Sequence, residues 1–338
     1  MNFKKKIVII NKEKIFQENN SFFCDNIDLK SIPEGLKEKF DILLVADKSK
    51  IPRSYKINLE NIKISSNIFK FLYETIRTFK NKNTSYLLIS ITPYSFFSYL
   101  LLLIFRKKIF VYLRSNGYEE YRAILGIIGP IFYHIMFSLM MLKSNVITCQ
   151  KRLVKKKNYN LVFPSELDTN WTKNPTVPFI NKAKLLYVGR LKVEKGIFSL
   201  LKIFDKINDN VDLSILGKME NVKIDNKKIN LISYENNMQK IIKIYDDHNI
   251  IILPSYTEAH PKVVDESLAR LRPVIIFEEI SHIIQYRKGV FVAKRNDKSL
   301  MEIINFIMNN FKNIQNDIKK NNLPTKEKFI SQLTQILN

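Results

Sequence analysis

Short runs of β-branched and other apolar residues alternate along the chain with longer stretches in which apolar positions recur every three or four residues. That alternation predicts an α/β protein, with mostly parallel strands joined by crossover helices. In the first half the strand-like runs fall at 7–10, 41–46, 86–91, 109–113, 145–148 and 161–163. In the second they fall at 185–188, 211–216, 229–232, 250–253, 274–277 and 290–292. Two sheets follow, and so two domains. Between them, 164–184 carries Pro164, Pro175 and Pro178 among Asn and Thr with neither period, which reads as a linker. The expected division is therefore 1–164, a linker at 165–184, a second domain at 185–322 and a closing helix at 323–338.

The helical stretches fit this plan. Ile197, Phe198, Leu200, Leu201, Phe204 and Ile207 share one apolar face behind Gly196. Residues 299–319 and 326–337 are amphipathic in the same way, and Pro324 separates them. Two other stretches, 96–105 and 123–142, hold almost no charge and are closed by Arg106-Lys107-Lys108 and by Lys143. The second is long enough to span a bilayer. It nevertheless contains Gly126, Gly129, Pro130 and His134, and the strands on its two sides should belong to one sheet. Two readings stay open: buried crossover helices, or an apolar face lying in the headgroup region of an anionic membrane.

A hydrophobic share of 46% in 338 residues excludes a disordered chain. Two cysteines and no apolar leader behind Met1 suggest a reducing, cytoplasmic setting. The balance of 55 basic against 32 acidic residues, a net +23, favours anionic membranes or polyanions. Nucleic acid is not expected, because the lysines are scattered and no basic block is interleaved with aromatics. With eight glycines there is neither a dinucleotide fingerprint nor a Walker loop. His134, His248, His260 and His282 show no ligand spacing, so no metal or other cofactor is expected.

Two segments of the second half carry chemistry. In Leu185-Leu-Tyr-Val-Gly-Arg-Leu-Lys-Val-Glu-Lys-Gly196 a strand runs into a turn bearing Gly189, Arg190 and Lys195, and a helix opens near Gly196. Such a turn lies at the carboxyl end of a strand, where open α/β sheets bind ligands, and two cations beside a helix start suit a diphosphate. In the second segment a strand ends at Pro254, Glu258 sits in the following turn, and Glu266 lies about one and a half turns into a helix that Pro261 opens. Both carboxylates can then accept hydrogen bonds from sugar hydroxyls.

Taken together, the Arg190-x4-Lys195 turn, Gly217 after Leu213-Ser-Ile-Leu, the Pro254-Ser-Tyr-Thr-Glu258 turn with Glu266, and Arg272-Pro-Val-Ile closely resemble the donor-binding domain of family 4 glycosyltransferases. The resemblance runs from about 184 to 338. It implies the GT-B fold, two Rossmann-like domains facing across a cleft, and retaining hexosyl transfer from a nucleotide-diphosphate sugar without a metal. It further implies that Arg190, Lys195 and Glu258 are catalytic. The donor would be lined by Gly189, Arg190, Lys195, Gly217, Glu258, Ala259, His260, Pro261, Lys262, Val263 and Glu266. Of these, Arg190 and Lys195 would hold the diphosphate, Glu266 the ribose and Glu258 the sugar.

Ala259 and Leu271 stand where this family often has glycine, and its glycine-rich loop is missing behind Ile10. Arg114, Asn116 and Glu119, in the polar turn after the 109–113 strand, are acceptor-side candidates. The acceptor expected is a glycan or lipid-linked glycan of cell-surface polysaccharide synthesis, met in the cytoplasm at the inner face of the membrane. The alternatives are a nucleotide-sugar epimerase or hydrolase on the same fold, or a basic membrane- or nucleic-acid-binding protein with a decayed transferase core.

Overall fold

The computed structural model of the chain describes residues 4–80, 83–154, 158–178, 180–207, 211–217, 226–233 and 235–338. Residues 1–3 and 179, which fall in the leader and linker expectations, lie outside that set. The chain divides into two compact units, Met1–Pro164 with Glu327–Asn338, and Ser165–Lys326.

The first unit holds β1 (Lys6–Glu18), β2 (Ser21–Cys24), β3 (Asp41–Lys48), β4 (Tyr55–Ile57), β5 (Ile62–Ser65), β6 (Thr84–Ile89), β7 (Lys108–Leu113), β8 (Asn145–Thr148) and β9 (Asn160–Leu161). Its parallel strands run β5-β3-β1-β6-β7-β8-β9, so chain order reverses between β1 and β6. Side chains alternate across this sheet as the pleat requires. Ile7 and Ile9 enter a core with Leu29, Ile32 and Leu36 of helix Ile27–Leu36 and with Phe329, Leu333 and Leu337 of the closing helix. Val8 and Ile10 enter the opposite core, under helices Ile68–Arg77, Pro93–Ile104 and Gly129–Leu142.

Three strands of this unit are absent from the sequence reading. Where the resembled family bends at a glycine-rich loop, β1 continues to Glu18 and pairs with β2, which in turn pairs with β4, both antiparallel. Asn19 and Asn20 make the turn, both with positive φ as a type I′ hairpin demands. The third is β5, a short strand at the sheet edge beside β3.

The 123–142 stretch is neither one helix nor fully buried, so of its two readings the buried crossover helix does not hold. Gly126 takes φ +64 and separates helix Gly117–Leu125 from helix Gly129–Leu142, and the two fold against each other. Tyr118 and Tyr133 meet edge to face with centroids 4.8 Å apart, whereas fifteen residues of straight helix would place them about 22 Å apart.

The second unit holds β10 (Ala183–Val188), β11 (Val211–Leu216), β12 (Ile229–Ile232), β13 (Ile250–Leu253), β14 (Val274–Phe277) and β15 (Val290–Ala293). All are parallel in the order β12-β11-β10-β13-β14-β15, a doubly wound sheet that reverses between β10 and β13. The 299–319 stretch is two helices, Asp297–Asn309 and Phe311–Ile318, broken at Asn310.

The expected linker is part of this unit. Leu167 and Trp171 are buried in its core, and two buried arginines hold the irregular backbone. Arg270 pairs with both oxygens of Asp246 at 2.9 and 2.6 Å and donates to the carbonyls of Trp171, Lys173 and Asn174. Arg272, with no exposed surface, donates to the carbonyls of Thr176, His248, Asp246 and Arg270. Guanidinium groups thus satisfy backbone acceptors that no ladder could reach, which is why the segment shows neither period.

Candidate active site

The two turns singled out in the sequence follow β10 and β13, the strands on either side of the switch point, so the topology brings them together. Close backbone approaches fix their shape. Gly196 takes φ +67, and a Cβ there would run into the carbonyl of Pro254 in the other turn. A Cβ on Gly217, at the end of β11, would strike the carbonyl of Gly189, whose own amide donates to Leu216 at 3.0 Å. Tyr256 N donates to the Glu194 carbonyl at 3.0 Å, and Tyr187, buried beneath, donates through its hydroxyl to the Arg190 carbonyl at 2.8 Å.

On this frame Lys195 and Glu258 meet. The ammonium donates to Glu258 Oε1 at 2.6 Å, and Ser255 Oγ donates to the same oxygen at 2.7 Å. His282 Nε2 lies 2.9 Å from the Glu258 carbonyl. Arg190 is exposed at the tip of its turn. Helix Ile197–Phe204 begins directly after Gly196 and directs the positive end of its dipole at the same turn. A cation, a carboxylate and the start of a helix are therefore gathered at the carboxyl ends of two adjacent strands.

Glu266 lies in helix Lys262–Ala269, which Pro261 precedes as the capping residue. Its Oε2 accepts the Tyr245 hydroxyl at 2.8 Å. Burial pushes its carboxyl up to about 7, against the hydrogen bond from Tyr245 and the charge of Lys262. Near neutrality this carboxyl can both accept and release a proton.

The other expected donor residues are placed differently. The His260 side chain is 1% exposed, with Nε2 at 3.0 Å from Asp265 Oδ2, and Arg287 Nε donates to Asp265 Oδ1 at 2.7 Å. Burial raises the Asp265 carboxyl, but hydrogen bonds from His260 and Arg287 outweigh it, and the group sits below its ordinary range. His260 is thus a clamp on the turn and faces the core. Lys262 pairs at 3.0 Å with Glu166, a residue of the expected linker. Ala259 is buried and Val263 half-buried. Leu271, where the family often has glycine, adopts φ +57 as the helix ends, a left-handed conformation that costs a non-glycine residue ~1–2 kcal/mol.

Sequence reasoning missed Arg295 and Tyr245. The Arg295 guanidinium lies 4.1 Å from the centroid of Tyr256 and donates to Glu279 at 2.7 Å. Its position beyond the last strand, at the carboxyl edge of the sheet, was the available signal.

In the first unit an open cavity of about 390 Å³ lies at the corresponding switch point, lined by Asn11, Lys12, Arg53, Ser90, Thr92 and Arg114 among others. Arg114 is bound to Asp28 at 2.8 Å and to Asn26 at 3.2 Å. Asn116 caps helix Gly117–Leu125 through Tyr118 N and donates to Glu119 at 2.7 Å. Of the acceptor-side candidates, then, Arg114 faces the cavity, while Asn116 and Glu119 hold each other at the helix start. Among the described residues no three His, Cys, Asp or Glu side chains cluster as metal ligands.

Residues 171–324 match the family described as "Glycosyl transferases group 1". An uncharacterized glycosyltransferase of Haemophilus influenzae is 25% identical over 169 residues, 46% of this chain and 48% of that protein. The putative teichuronic acid biosynthesis glycosyltransferase TuaC of Bacillus subtilis is 26% identical over 121 residues, 35% of this chain and 31% of that protein. The aligned part of this chain thus spans at most about half the length of either relative. Among solved structures, sucrose-phosphate synthase of Thermosynechococcus elongatus superposes with a TM-score of 0.71 at 15% identity, covering 98% of both chains. HepE of Anabaena, in complex with UDP and glucose, gives 0.66 at 12% identity, covering 98% of this chain and 97% of HepE. The chain has the GT-B fold, and most of its second unit matches the group 1 glycosyl transferase family model.

Proposed function

We propose that this protein is a retaining hexosyltransferase that takes its sugar from a uridine diphosphate donor and delivers it to a glycan or lipid-linked glycan of cell-surface polysaccharide. The reading places transfer in the cytoplasm, at the inner face of the membrane. The observation that carries it is the Lys195–Glu258 contact at the switch point, with Arg190 on the same turn and Glu266 one helix away. UDP and glucose bound to HepE and the teichuronic acid role named for TuaC support the donor and product class.

In this scheme the acceptor hydroxyl forms a bond to the anomeric carbon as the bond from that carbon to the diphosphate breaks. The departing diphosphate gains charge and takes the acceptor proton through one of its own oxygens on the same face, so no enzyme nucleophile is needed. Arg190, Lys195 and the amides opening helix Ile197–Phe204 stabilise that charge. A single preorganised donor of this kind is worth ~2.7–4 kcal/mol in other enzymes. Glu258 accepts sugar hydroxyls and holds the Lys195 ammonium on the diphosphate side, and Glu266 accepts ribose hydroxyls when ionised.

Incubation of the purified chain with UDP-sugars, with and without a polysaccharide-precursor acceptor, tests this reading. Acceptor-dependent UDP release with the anomeric configuration kept in the product is expected. Turnover equally fast without acceptor, giving an epimerised or free sugar, would replace transfer by epimerisation or hydrolysis.

A further inference from the structure

The helical hairpin of the first unit has an apolar tip with no counterpart in the proposed donor chemistry. Ile124, Leu125, Ile127 and Ile128 surround the Gly126 bend, and Ile127 is 89% exposed. The apolar surface continues down the outer side of helix Gly129–Leu142 through Ile131, Ile135 and Leu142. It joins the end of helix Pro93–Ile104, where Ile104 is 72% exposed, because the Tyr99 hydroxyl donates to the Leu139 carbonyl and draws the two helices together. Single exposed hydrophobics need no explanation, but a continuous surface of this kind marks an interaction site.

Charge identifies the occupant. Between Glu74 and Glu166 the sequence has only two acidic residues, Glu119 and Glu120. Exposed Arg106, Lys108, Arg122 and Lys143 lie on the segments that border the apolar surface. Apolar groups fringed by cations suit a bilayer carrying anionic headgroups, where each Lys or Arg near the surface adds about 1 kcal/mol. The inner sides of the same helices bury Tyr133, Met136 and Met140 against the sheet, and β7 and β8, which flank the hairpin, pair side by side. The segment therefore cannot cross a membrane while the sheet stays whole.

We infer that the 124–131 tip and the outer side of helix Gly129–Leu142 insert shallowly into an anionic phospholipid bilayer. The surface itself stands apart from the donor reading. Its consequence, that the acceptor is a membrane-held glycan, rests on that reading.

The test is co-sedimentation of the full chain with vesicles of phosphatidylglycerol and phosphatidylcholine, or of phosphatidylcholine alone, at 0.1 M and 1 M NaCl, beside calorimetric binding of UDP. Wild type is expected to sediment with anionic vesicles at low salt and to be partly retained at high salt, since apolar insertion is not screened. The double variant Ile127→Glu/Ile128→Glu, at exposed positions, should lower vesicle partition at least about tenfold and leave UDP affinity within about twofold. Wild type ignoring anionic vesicles, or the variant binding them equally well, would overturn the inference. So would a wild-type dimer that ignores vesicles and becomes monomeric in the variant, because the surface would then pair two copies. Loss of UDP binding in wild type would instead count against the proposed function and leave the bilayer surface standing.

Discussion

The two units share one strand order, reversing next to the first strand of each, yet they use the switch point differently. In the second unit, charged groups are pulled under cover and set against one another: Lys195 on Glu258, Asp265 between His260 and Arg287, Arg270 on Asp246. In the first, the cavity at the switch point is lined by Arg53, whose pair with Asp25 is more open, and by Arg114, whose pair with Asp28 is covered about as well as Lys195–Glu258, and what sets the unit apart is an antiparallel extension and an exposed apolar hairpin. The topology supplies a place for a ligand in both, and the side chains decide what chemistry is possible there. Deeply buried clamps such as Arg287 on Asp265 distinguish the second unit, for which we propose the donor, and exposed apolar surface distinguishes the first, for which we infer a bilayer contact.

That contrast can be broken first through stability. Arg270→Ala strips Asp246 of its bidentate partner and leaves three carbonyls without a donor, so the second unit should lose ~3–5 kcal/mol in urea unfolding. Arg53→Ala removes a more open pair in the first unit and should cost about 1 kcal/mol or less. Similar losses in both would erase the distinction between the units.

Activity sharpens it. Lys195→Ala should reduce transfer by roughly 10²-fold or more while the protein still melts as a folded protein, from loss of leaving-group stabilisation. Steady-state rates close to wild type would remove Lys195 from that role.

The pH dependence of Glu266 comes next. Its folded carboxyl is raised from 4.5 to about 7, so the folded state prefers the protonated form. The resulting stability is fully present below pH 4.5 and is lost as pH rises through 7. Glu266→Gln should therefore melt higher than wild type at pH 8, by up to about 3 kcal/mol at ~1.4 per unit, and show no such gain at pH 4. Equal differences at the two pH values would contradict the raised carboxyl. The same substitution should weaken UDP binding at pH 8, where the ionised carboxylate of wild type accepts the ribose hydroxyls.

The smallest effect belongs to the hairpin peculiar to the first unit. Asn20→Gly places the preferred residue at the second I′ position and should stabilise by about 0.5 kcal/mol in the same unfolding assay. A loss there would mean that the Asn20 side chain does more than tolerate its positive φ.

The second unit was the more legible in sequence for a physical reason. Its strands β13 and β14 are buried throughout and read as unbroken apolar runs, and the turns that follow β10 and β13 hold the charged residues of the site. Strands β2, β4 and β5 were illegible because they are only four, three and four residues long, too short to show a strand period against their surroundings. The segment at 165–182 looked like a linker because its order comes from Arg270 and Arg272, about a hundred residues away. Hydrophobic content alone could not say whether 123–142 was core or surface. Gly126 and the contact of Tyr118 with Tyr133 decide that it is a hairpin. Glu258 and Glu266 were legible as a pair, but the pairing of Glu258 with Lys195 depends on two turns 63 residues apart.

Binding of a UDP-sugar diphosphate by the β10 and β13 turns of the second unit can be read by titrating UDP into the wild-type chain and into Lys195→Ala and Lys12→Ala by calorimetry. Wild type is expected to bind saturably, Lys195→Ala to lose about tenfold or more in affinity, equivalent to ~1.4 kcal/mol, and Lys12→Ala of the first-unit cavity to change by no more than about twofold. Absence of UDP binding in wild type, or a loss in Lys12→Ala matching that in Lys195→Ala, would contradict binding by those turns.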